Sequence, residues 1–414
     1  MSYKHGIYTD RVANVGSLTT KAQGTIPVYI GTAPIHLTAD YAESGGNKVN
    51  TPILINSYRE AEKIIGYSDD WDKFTLCEAV YAHFMNTIRP IAPIVVIVMN
   101  DGEDGDDFAL TSLTTTEFEN ALKALDKVEQ ICGVVPNIIS APEFAVANIE
   151  KLVTYCTNGI GSKWGLVAYV DISTTTATTV TAAITRQTAE ATKIVCKFIR
   201  PHYPKVRHNG KVYHLSVLDC VASQWVDNDT DGVACRSSSN TAVDCDTPCL
   251  NATTALYFDE TEANSLNAVG ITTVNYIGGE YRIWGGHMAN YNHANSNNID
   301  PQDKSDATVR TDIFLHNWLK REFLDNIDFP VSRRDIDGIV ANVNIGLNSF
   351  VKNGYLLKGE CYFSTDNNPT AELAEGDITL DVQYTSTPNG KSITFAVQYT
   401  TEGLNNIIEE EQGA

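Results

Sequence analysis

The chain has 414 residues, of which 43% are hydrophobic and 20% charged, and this composition is typical of folded globular proteins. Its length indicates two or three domains. The 51 acidic residues outnumber the 30 basic ones and give a net charge of −21, so the surface should repel nucleic acids and anionic membranes. No apolar run approaches the roughly 20 residues of a membrane-spanning helix, and the first residues lack the apolar segment of a secretory signal. The nine cysteines lie mostly singly within apolar segments, which favours synthesis in a reducing cytoplasm over a disulfide framework.

The first part of the chain combines a polar start with clear core elements. Residues 1–24 have no apolar period long enough to bury them, so they are either a frayed terminus or an arm that becomes ordered by pairing with another surface. Strands are predicted over 25–31 and 51–57. A short helix should follow over 57–65, capped by its first serine and closed by the next glycine, and the apolar spacing over 74–84 predicts a second helix.

Continuous apolar runs alternate with helical periods through the middle of the chain. Runs of this kind are typical of strands that are buried on both faces. The predicted strands cover residues 92–100, 136–142, 164–171 and 193–199, and the predicted helices cover 118–131, 146–156 and 175–190. This alternation predicts a largely parallel sheet with helices on both sides.

The pattern changes after residue 200 to a mixture of helices, strands and polar loops. Residues 205–256 are interpreted as irregular, because they are polar and rich in cysteine. The later segments comprise a helix over 258–268, a strand over 271–277, an Asn-rich loop over 286–305, and helices over 309–324 and 332–350.

Two segments near the C-terminus alternate perfectly between apolar and polar residues. Their apolar faces consist of Ile378, Leu380, Val382 and Tyr384 in the first segment, and of Ile393, Phe395, Val397 and Tyr399 in the second. The turn-like sequence TPNG lies between them, so one interpretation is a hairpin within one subunit. In the other, the last strand leaves its own subunit and extends the sheet of a neighbour.

Candidate metal sites are incomplete. The hexapeptide at 227–232, DNDTDG, reproduces the first half of a calcium loop, but Ser238 stands where such a loop needs a bidentate glutamate. Cys235, Cys245 and Cys249 follow two histidines, but no CxxC pair supports a zinc site. The sequence therefore predicts no metal ligand, and the acidic hexapeptide is interpreted as a turn.

Candidate catalytic and cofactor motifs are equally weak. Asp171 ends a predicted strand, and several histidines, Ser223 and Ser237 lie downstream, but the GxSxG nucleophile turn is absent. No GxGxxG follows a strand of the α/β region, so a bound dinucleotide has no support. The sequence predicts no catalytic residue and no cofactor, and a cytoplasmic hydrolase is kept only as the alternative.

From end to end, the chain resembles the tail sheath proteins of contractile-tailed bacteriophages. The segments that carry the resemblance recur in the family's order. They are YKHGIYTDRV, PVYIGTAP, TPILINSYREAEKIIG, CEAVYAHFMNTIRPIAPIVVIVMNDG, LDCVASQWVDNDTDGVACRSSSN, ANSLNAVGITTVNYIGGEYRIWG and the long block from DIDGIVANV to DVQYT. One departure is the sequence Gly286-His287-Met288, where the family usually has a short polar run ending in Arg-Thr.

The resemblance implies a fold that joins α/β and α+β parts. It implies a central subtilisin-like α/β domain without a catalytic triad, a mixed α+β C-terminal domain and extended terminal strand arms. The implied units are the N-terminal arm 1–24, the first part of the core 25–92, the central domain 93–285, the C-terminal sheath domain 286–390 and the C-terminal arm 391–414.

The resemblance also implies a structural subunit that is not an enzyme. Such subunits form stacked hexameric rings around an inner tube and contract to drive it through the target cell envelope. The implied partners are copies of the chain itself, the inner tube protein, and the baseplate and tail terminator proteins, within a virion assembled from chains made in the host bacterial cytoplasm.

The family's linked arms assign roles to particular residues of this chain. Strand donation would involve Ile7, Tyr8 and Val12 of the N-terminal arm and Ile393, Phe395, Val397 and Tyr399 of the C-terminal arm. The acceptor strand would carry Ile378, Leu380, Val382 and Tyr384. The inner tube would meet the polar side of the helix at 309–326, at Lys320, Arg321 and Glu322, unless that side is simply solvated.

Overall fold

The computed structural model describes residues 24–39, 48–88, 93–100, 115–324, 327–328 and 330–404. Its central element is a six-stranded sheet with the order β2-β3-β1-β4-β5-β6. Its strands are β1 Pro27–Thr32, β2 Pro52–Ile55, β3 Ile94–Asn100, β4 Ile138–Ser140, β5 Val167–Asp171 and β6 Ile199–His202. Five strands are parallel, and β2 pairs with β3 in the antiparallel sense. The predicted largely parallel sheet is confirmed.

Helices cover both faces of this sheet. Because successive side chains of a strand point to opposite faces, the apolar runs supply two hydrophobic clusters at once. The helices of this region are α1 Tyr58–Ile65, α2 Thr75–Phe84, α3 Thr115–Leu125, α4 Val128–Cys132, α5 Ile149–Asn158 and α6 Val180–Thr188. Helix α2 contributes to one cluster, and α3 and α5 contribute to the other. Ser57 caps α1 by accepting a hydrogen bond from the amide of Glu60, and Gly66 ends that helix with φ of 75°.

The strand predicted over residues 193–199 is wrong in position. Strand β6 begins at Ile199, and residues 194–198 precede it without regular structure. Ile194 and Cys196 are buried as expected of core residues. The side chain of Gln187 hydrogen-bonds both the carbonyl and the amide of Ile194, so this backbone is satisfied without a neighbouring strand.

Residues 205–256, interpreted from sequence as irregular, contain regular structure. Strands β7 Lys205–His208, β8 Lys211–Tyr213 and β9 Thr247–Cys249 form a small antiparallel sheet, and helix α7 spans Leu215–Asp229. Most residues of α7 are buried, including polar ones. A helix buried on nearly all sides has no polar stripe, so the amphipathic pattern that reveals surface helices is missing.

The later part of the chain carries a short helix and hairpin, and then the C-terminal elements. These are α8 Glu260–Asn267, β10 Thr273–Ile277, β11 Glu280–Trp284, α9 Asp306–Glu322, α10 Arg333–Lys352, β12 Leu356–Tyr362, α11 Thr370–Glu375 and β13 Asp381–Ser386. Helices α9 and α10 share a third hydrophobic cluster with β12. Within the described ranges, no helix is both long and apolar enough to cross a bilayer.

Candidate assembly surface

Strands β12 and β13 form a separate two-stranded antiparallel sheet. Cys361 lies opposite Val382, and Gly359 lies opposite Tyr384. One face of the sheet packs on α10, and a Cβ atom at Gly359 would meet the Cβ of Leu347 at 3.0 Å. A glycine at this position therefore allows the strand to approach the helix closely.

The predicted acceptor residues lie in and just before β13. Leu380, Val382 and Tyr384 pack against the third hydrophobic cluster, and the hydroxyl of Tyr384 donates a hydrogen bond to Asp312 on α9. Burial raises the pKa of Tyr384 well above its ordinary value. Ile378 precedes the strand and is only partly buried. The alternating face predicted from sequence therefore faces the interior of the subunit from Leu380 onward.

A sheet of two strands leaves one edge of each strand unpaired. Neither β12 nor β13 pairs with any other described strand. Unpaired edges expose amide and carbonyl groups that can accept a further strand from another chain. Two strands alone are also marginal as a sheet, so an added strand would stabilise this one.

The segment that could supply such a strand extends beyond β13. Residues 391–400 form no helix or strand and are exposed throughout. The side chains of Ile393, Phe395, Val397 and Tyr399 are between 78% and 90% exposed. The hairpin within one subunit is absent, because residues 391–400 form no strand and β12 is the only described strand that pairs with β13. Four large apolar side chains in alternation are thus exposed without partners among the described residues.

The other predicted arm residues cannot be placed in the same way. Ile7, Tyr8 and Val12 lie outside the described residues, so their role stays a prediction.

The candidate tube contact lies at the C-terminal end of α9. The ammonium of Lys320 donates to the carbonyl of Lys163, and the guanidinium of Arg321 lies 5.4 Å from the ring centroid of Trp164. Burial lowers the pKa of Arg321. Lys320 and Glu322 are exposed. The cationic residues therefore also bind the turn before β5, and their contact with a tube stays a prediction.

A buried ionic network connects the central sheet to α9. Arg200 on β6 is fully buried, and its guanidinium lies 2.9 Å from the carboxylates of both Asp219 on α7 and Asp306 on α9. His202 contacts the same Asp219 at 2.6 Å. Burial opposes the charge of Arg200, but the two aspartates raise its pKa above the ordinary value. Asp306 belongs to the C-terminal region and Arg200 to the sheet, so their ion pair holds these two parts together.

A second buried pair extends this network to the start of the described chain. Arg310 on α9 binds Asp227 at the end of α7, and the hydroxyl of Thr25 donates to the same carboxylate. Burial raises the pKa of Asp227 to about 6, although Arg310 and Thr25 both favour its charged form. The base of the N-terminal region is thereby fixed to α7 and α9.

A third polar cluster lies near the carboxyl ends of the parallel strands. The imidazole of His214 contacts Glu78 on α2 and Glu143 in the loop after β4, each at 2.8 Å, and Lys205 also binds Glu143. Burial opposes the protonation of His214, but the two carboxylates raise its pKa to about 10. The imidazolium therefore acts as a fixed cation that joins three elements.

The residues considered for hydrolysis occupy structural positions. Ser223 is fully buried, and its hydroxyl lies 2.9 Å from that of Tyr169. Ser237 donates to Asp306 at 3.1 Å within the ionic network, and Asp171 accepts hydrogen bonds from the amide and hydroxyl of Ser216. Both serine hydroxyls take part in hydrogen bonds that hold the fold together, which gives the hydrolase alternative no support.

The acidic hexapeptide forms the end of α7 and the turn after it. Asp227 pairs with Arg310, Asp229 binds Arg236, and Asp231 accepts a hydrogen bond from Tyr355. Within the described ranges, no group of three or more His, Cys, Asp or Glu side chains is arranged to hold a metal ion.

Sequence reasoning missed the ionic network entirely. Arg200, Asp219, Asp306 and Arg310 look like ordinary solvated charges, since nothing in their local sequence indicates charged partners up to 106 positions away. The one available signal is the placement of Asp219 inside the apolar run LSVLDCVA, where an isolated charge requires a buried partner.

The chain is similar to known proteins in both sequence and structure. No family model matches the chain. It is 25% identical to the tail sheath protein of Burkholderia phage BcepMu over 292 residues, which cover 68% of this chain and 59% of the relative. It is 26% identical to the tail sheath protein of Escherichia phage P2 over 148 residues, which cover 36% of this chain and 35% of that relative. The chain thus spans less than two thirds of the length of these curated relatives.

Two solved structures superpose on nearly the whole chain. A chain of the anti-feeding prophage baseplate superposes with a TM-score of 0.66 at 12% identity, covering 97% of this chain and 100% of that one. A chain of the contracted sheath complex of an extracellular contractile injection system superposes with a TM-score of 0.64 at 14% identity, covering 98% and 99%. At this identity, the superpositions establish the fold. The predicted resemblance to the tail sheath proteins of contractile-tailed phages is therefore confirmed, by homology to several such proteins and by the shared fold.

Proposed function

We propose that this chain is the structural subunit of a contractile tail sheath. In this role it polymerises as stacked hexameric rings around an inner tube and contracts to drive the tube through the target cell envelope. The observation that carries the proposal is the exposed alternating segment 391–400, which lies beyond a two-stranded sheet with open edges. The names of the phage relatives support it.

The C-terminal arm would join subunits by strand donation. Each of its four apolar side chains is at least 78% exposed, and burial of one such side chain contributes about 1.5–3 kcal/mol. Main-chain hydrogen bonds to an open sheet edge add affinity without requiring charge complementarity. We assign the acceptor edge to the sheet of β12 and β13, with Ile7, Tyr8 and Val12 donating in the same manner from the N-terminal arm.

The rest of the subunit would move as one body during contraction. The buried pairs of Arg200 and Arg310 join β6, α7 and α9, and breaking such pairs is costly because it leaves uncompensated buried charges. Arms that stay paired while bodies reorient would keep neighbouring subunits connected. The free energy of contraction then comes from burying more inter-subunit surface, summed over many copies.

The same role carries further assignments. Within the subunit, the N-terminal arm would be 1–24, the first part of the core 25–92, the subtilisin-like central domain 93–285, the C-terminal domain 286–390 and the C-terminal arm 391–414. Lys320, Arg321 and Glu322 would face the inner tube. The remaining partners would be the baseplate and tail terminator proteins. The assembled sheath would be part of a virion, and its chains would be made in the host bacterial cytoplasm. This role includes neither direct binding of nucleic acid nor insertion into a membrane.

Electron microscopy of the purified protein tests the proposal. We expect long helical polymers from the wild-type chain, either alone or with its tube. Deletion of residues 391–414 should give folded subunits that do not polymerise, and Phe395→Ser/Val397→Ser should do the same. The matched control Thr394→Ser/Gln398→Ser changes the opposite face of the arm and should still polymerise.

The outcomes separate the two parts of the proposal. A wild-type chain that stays a monodisperse monomer at high concentration argues against a sheath subunit. Polymers formed by the deletion variant would leave the sheath role intact and exclude the C-terminal arm as its essential link.

A further inference from the structure

The base of the C-terminal arm is held to the body by three side chains. The hydroxyl of Thr387 donates to the carbonyl of Gly354 at 2.8 Å. The side-chain amide of Asn389 donates to the carbonyl of Cys235 at 3.3 Å and accepts from the amide of Ser237 at 3.4 Å. These contacts fix residues 387–389 before the exposed segment begins.

Lys391 makes the last of these contacts. Its ammonium lies 3.4 Å from the hydroxyl of Tyr291 and 5.5 Å from the centroid of that ring. The hydroxyl oxygen can accept a hydrogen bond, and the ring face attracts a cation. Residues 392–399, which follow Lys391 in the described chain, are exposed.

The surface that receives Lys391 is rigid and uncharged. Tyr291 is 6% exposed, and its ring stacks on His287 with centroids 3.6 Å apart and planes 6° apart. The Nδ1 atom of His287 lies 3.0 Å from the carbonyl of Lys304. Burial lowers the pKa of His287 to about 4, so the imidazole is neutral near pH 7 and does not repel Lys391.

The segment that receives Asn389 is equally well fixed. The side chain of Ser237 donates to Asp306, and the neighbouring Ser238 donates to Asp219. Both carboxylates belong to the buried network around Arg200. The anchor of the arm is thereby connected to the most deeply buried charges of the body.

We infer that Asn389 and Lys391 are positioning residues that fix the direction in which the C-terminal arm leaves its subunit. The inference rests on the proposed strand donation, and it adds the residues that set the direction of the donated strand. It also gives a role to Gly286-His287-Met288, where this chain departs from the sheath pattern. A Cβ atom at Gly286 would lie 2.7 Å from the Oγ of Ser237, so the glycine leaves room for the serine that donates to Asp306.

An arm whose direction is already fixed loses less conformational freedom when it pairs with a neighbouring subunit. Releasing the anchor should therefore weaken assembly without changing either the arm or the acceptor sheet. The lost contacts are three hydrogen bonds and one cation–π contact near the surface, so we expect a rise of about three- to tenfold in the concentration needed for polymerisation. An arm whose direction varies should also broaden the distribution of helical twist in the polymer.

The first experiment measures the anchor in the dilute, unpolymerised chain. With isoleucine methyl groups labelled for NMR, the Ile393 signal reports motion two residues beyond Lys391. Asn389→Ala/Lys391→Met should narrow this signal, while Lys391→Arg should leave it broad because arginine keeps the cation over the ring. Lys193→Met, which removes a lysine paired with Glu190 at the surface, is the matched control and should change nothing.

The second experiment measures the consequence for assembly. Pelleting gives the polymerisation concentration, and cryo-electron microscopy gives the helical twist of wild type, double variant and control. We expect the double variant to shift both quantities at an unchanged melting temperature. An unchanged Ile393 signal, an unchanged polymerisation concentration and twist, or a loss of assembly that only follows a lowered melting temperature would each overturn the inference. A wild-type chain that never polymerises overturns the sheath proposal instead, and the Ile393 signal then still decides whether the anchor exists.

Discussion

At the scale of single residues, the most consequential feature is the set of charges buried beneath the sheet. Arg200, Asp219, Asp306 and Asp227 have fully buried side chains, and that of Arg310 is nearly so. Buried charges persist only where partners compensate their lost hydration. The partners here come from β6, α7 and α9, so the network makes the packing of these three elements depend on each other.

Arg310→Met tests how strongly this network stabilises the subunit. The substitution leaves the carboxylate of Asp227 buried without its cation, so we expect the free energy of unfolding to fall by about 3–5 kcal/mol near pH 8. Chemical denaturation followed by circular dichroism measures it. Arg333→Met is the matched control, because its side chain is 66% exposed and pairs with Asp337 at the surface; its effect should stay within about 0.5 kcal/mol.

The pH dependence of this variant has a definite sign. The pKa of Asp227 is about 6 in the folded wild type, above its unfolded value, and losing Arg310 should raise it further. The folded variant then binds more protons than the unfolded chain, so its stability increases as the pH falls through that pKa. The difference between variant and wild type should shrink from pH 8 to pH 5. A constant difference would mean that lost packing, and not the charge of Asp227, causes the destabilisation.

At the scale of elements, the contact between α9 and α10 supports the candidate assembly surface. The two helices and β12 share one hydrophobic cluster, and β13 packs on it from outside. Gly346 on α10 faces Trp318 on α9 so closely that a Cβ atom would lie 2.4 Å from the indole ring. The position of the two-stranded sheet therefore depends on a close helix–helix approach.

A pair of glycine substitutions on α10 tests this approach. Gly346→Ala should lower the free energy of unfolding by about 1–3 kcal/mol, because the indole of Trp318 must move. Gly338→Ala is on the same helix with nothing within 4 Å, so it should be neutral or stabilising by up to about 1 kcal/mol. Thermal unfolding of both variants measures the effect. Equal shifts in the two variants would show that Trp318 does not constrain the contact.

The elements that sequence predicts well are those with strong local signals. Strand β3 coincides with a continuous apolar run, as expected. Helix α10 also begins at a serine cap and ends before Gly354, as expected. The sequence does not reveal helix α7, because burial of the helix removes the amphipathic pattern. It places the start of β6 too early, because the side chain of Gln187 replaces the hydrogen bonds of a neighbouring strand at Ile194. Apolar alternation predicted the inward face of β13 from Leu380 onward, whereas its pairing with β12 depends on tertiary contacts that no local pattern records.

At the scale of the whole molecule, the structure combines a cross-linked body with an exposed segment beyond it. The body is joined by the sheet, by two hydrophobic clusters on its faces and by the ionic network. The exposed arm begins just beyond Lys391, whose ammonium contacts Tyr291 of that body. This division suits a subunit that changes its orientation while it stays linked to its neighbours, because backbone pairing in the arm is independent of the side-chain contacts of the body.

The net charge of −21 makes a prediction for the proposed polymer. Every copy must pack against copies with the same excess of negative charge, and salt shortens the range of that repulsion from about 30 Å at 0.01 M to about 8 Å at 0.15 M. Strand pairing through the backbone is hardly affected by this screening. The concentration needed for polymerisation should therefore fall as salt rises across this range, as measured by pelleting. The variant lacking residues 391–414 should remain unpolymerised at every salt concentration. If polymerisation of the wild type instead weakens steadily with salt, ion pairs between subunits outweigh the repulsion between their net charges.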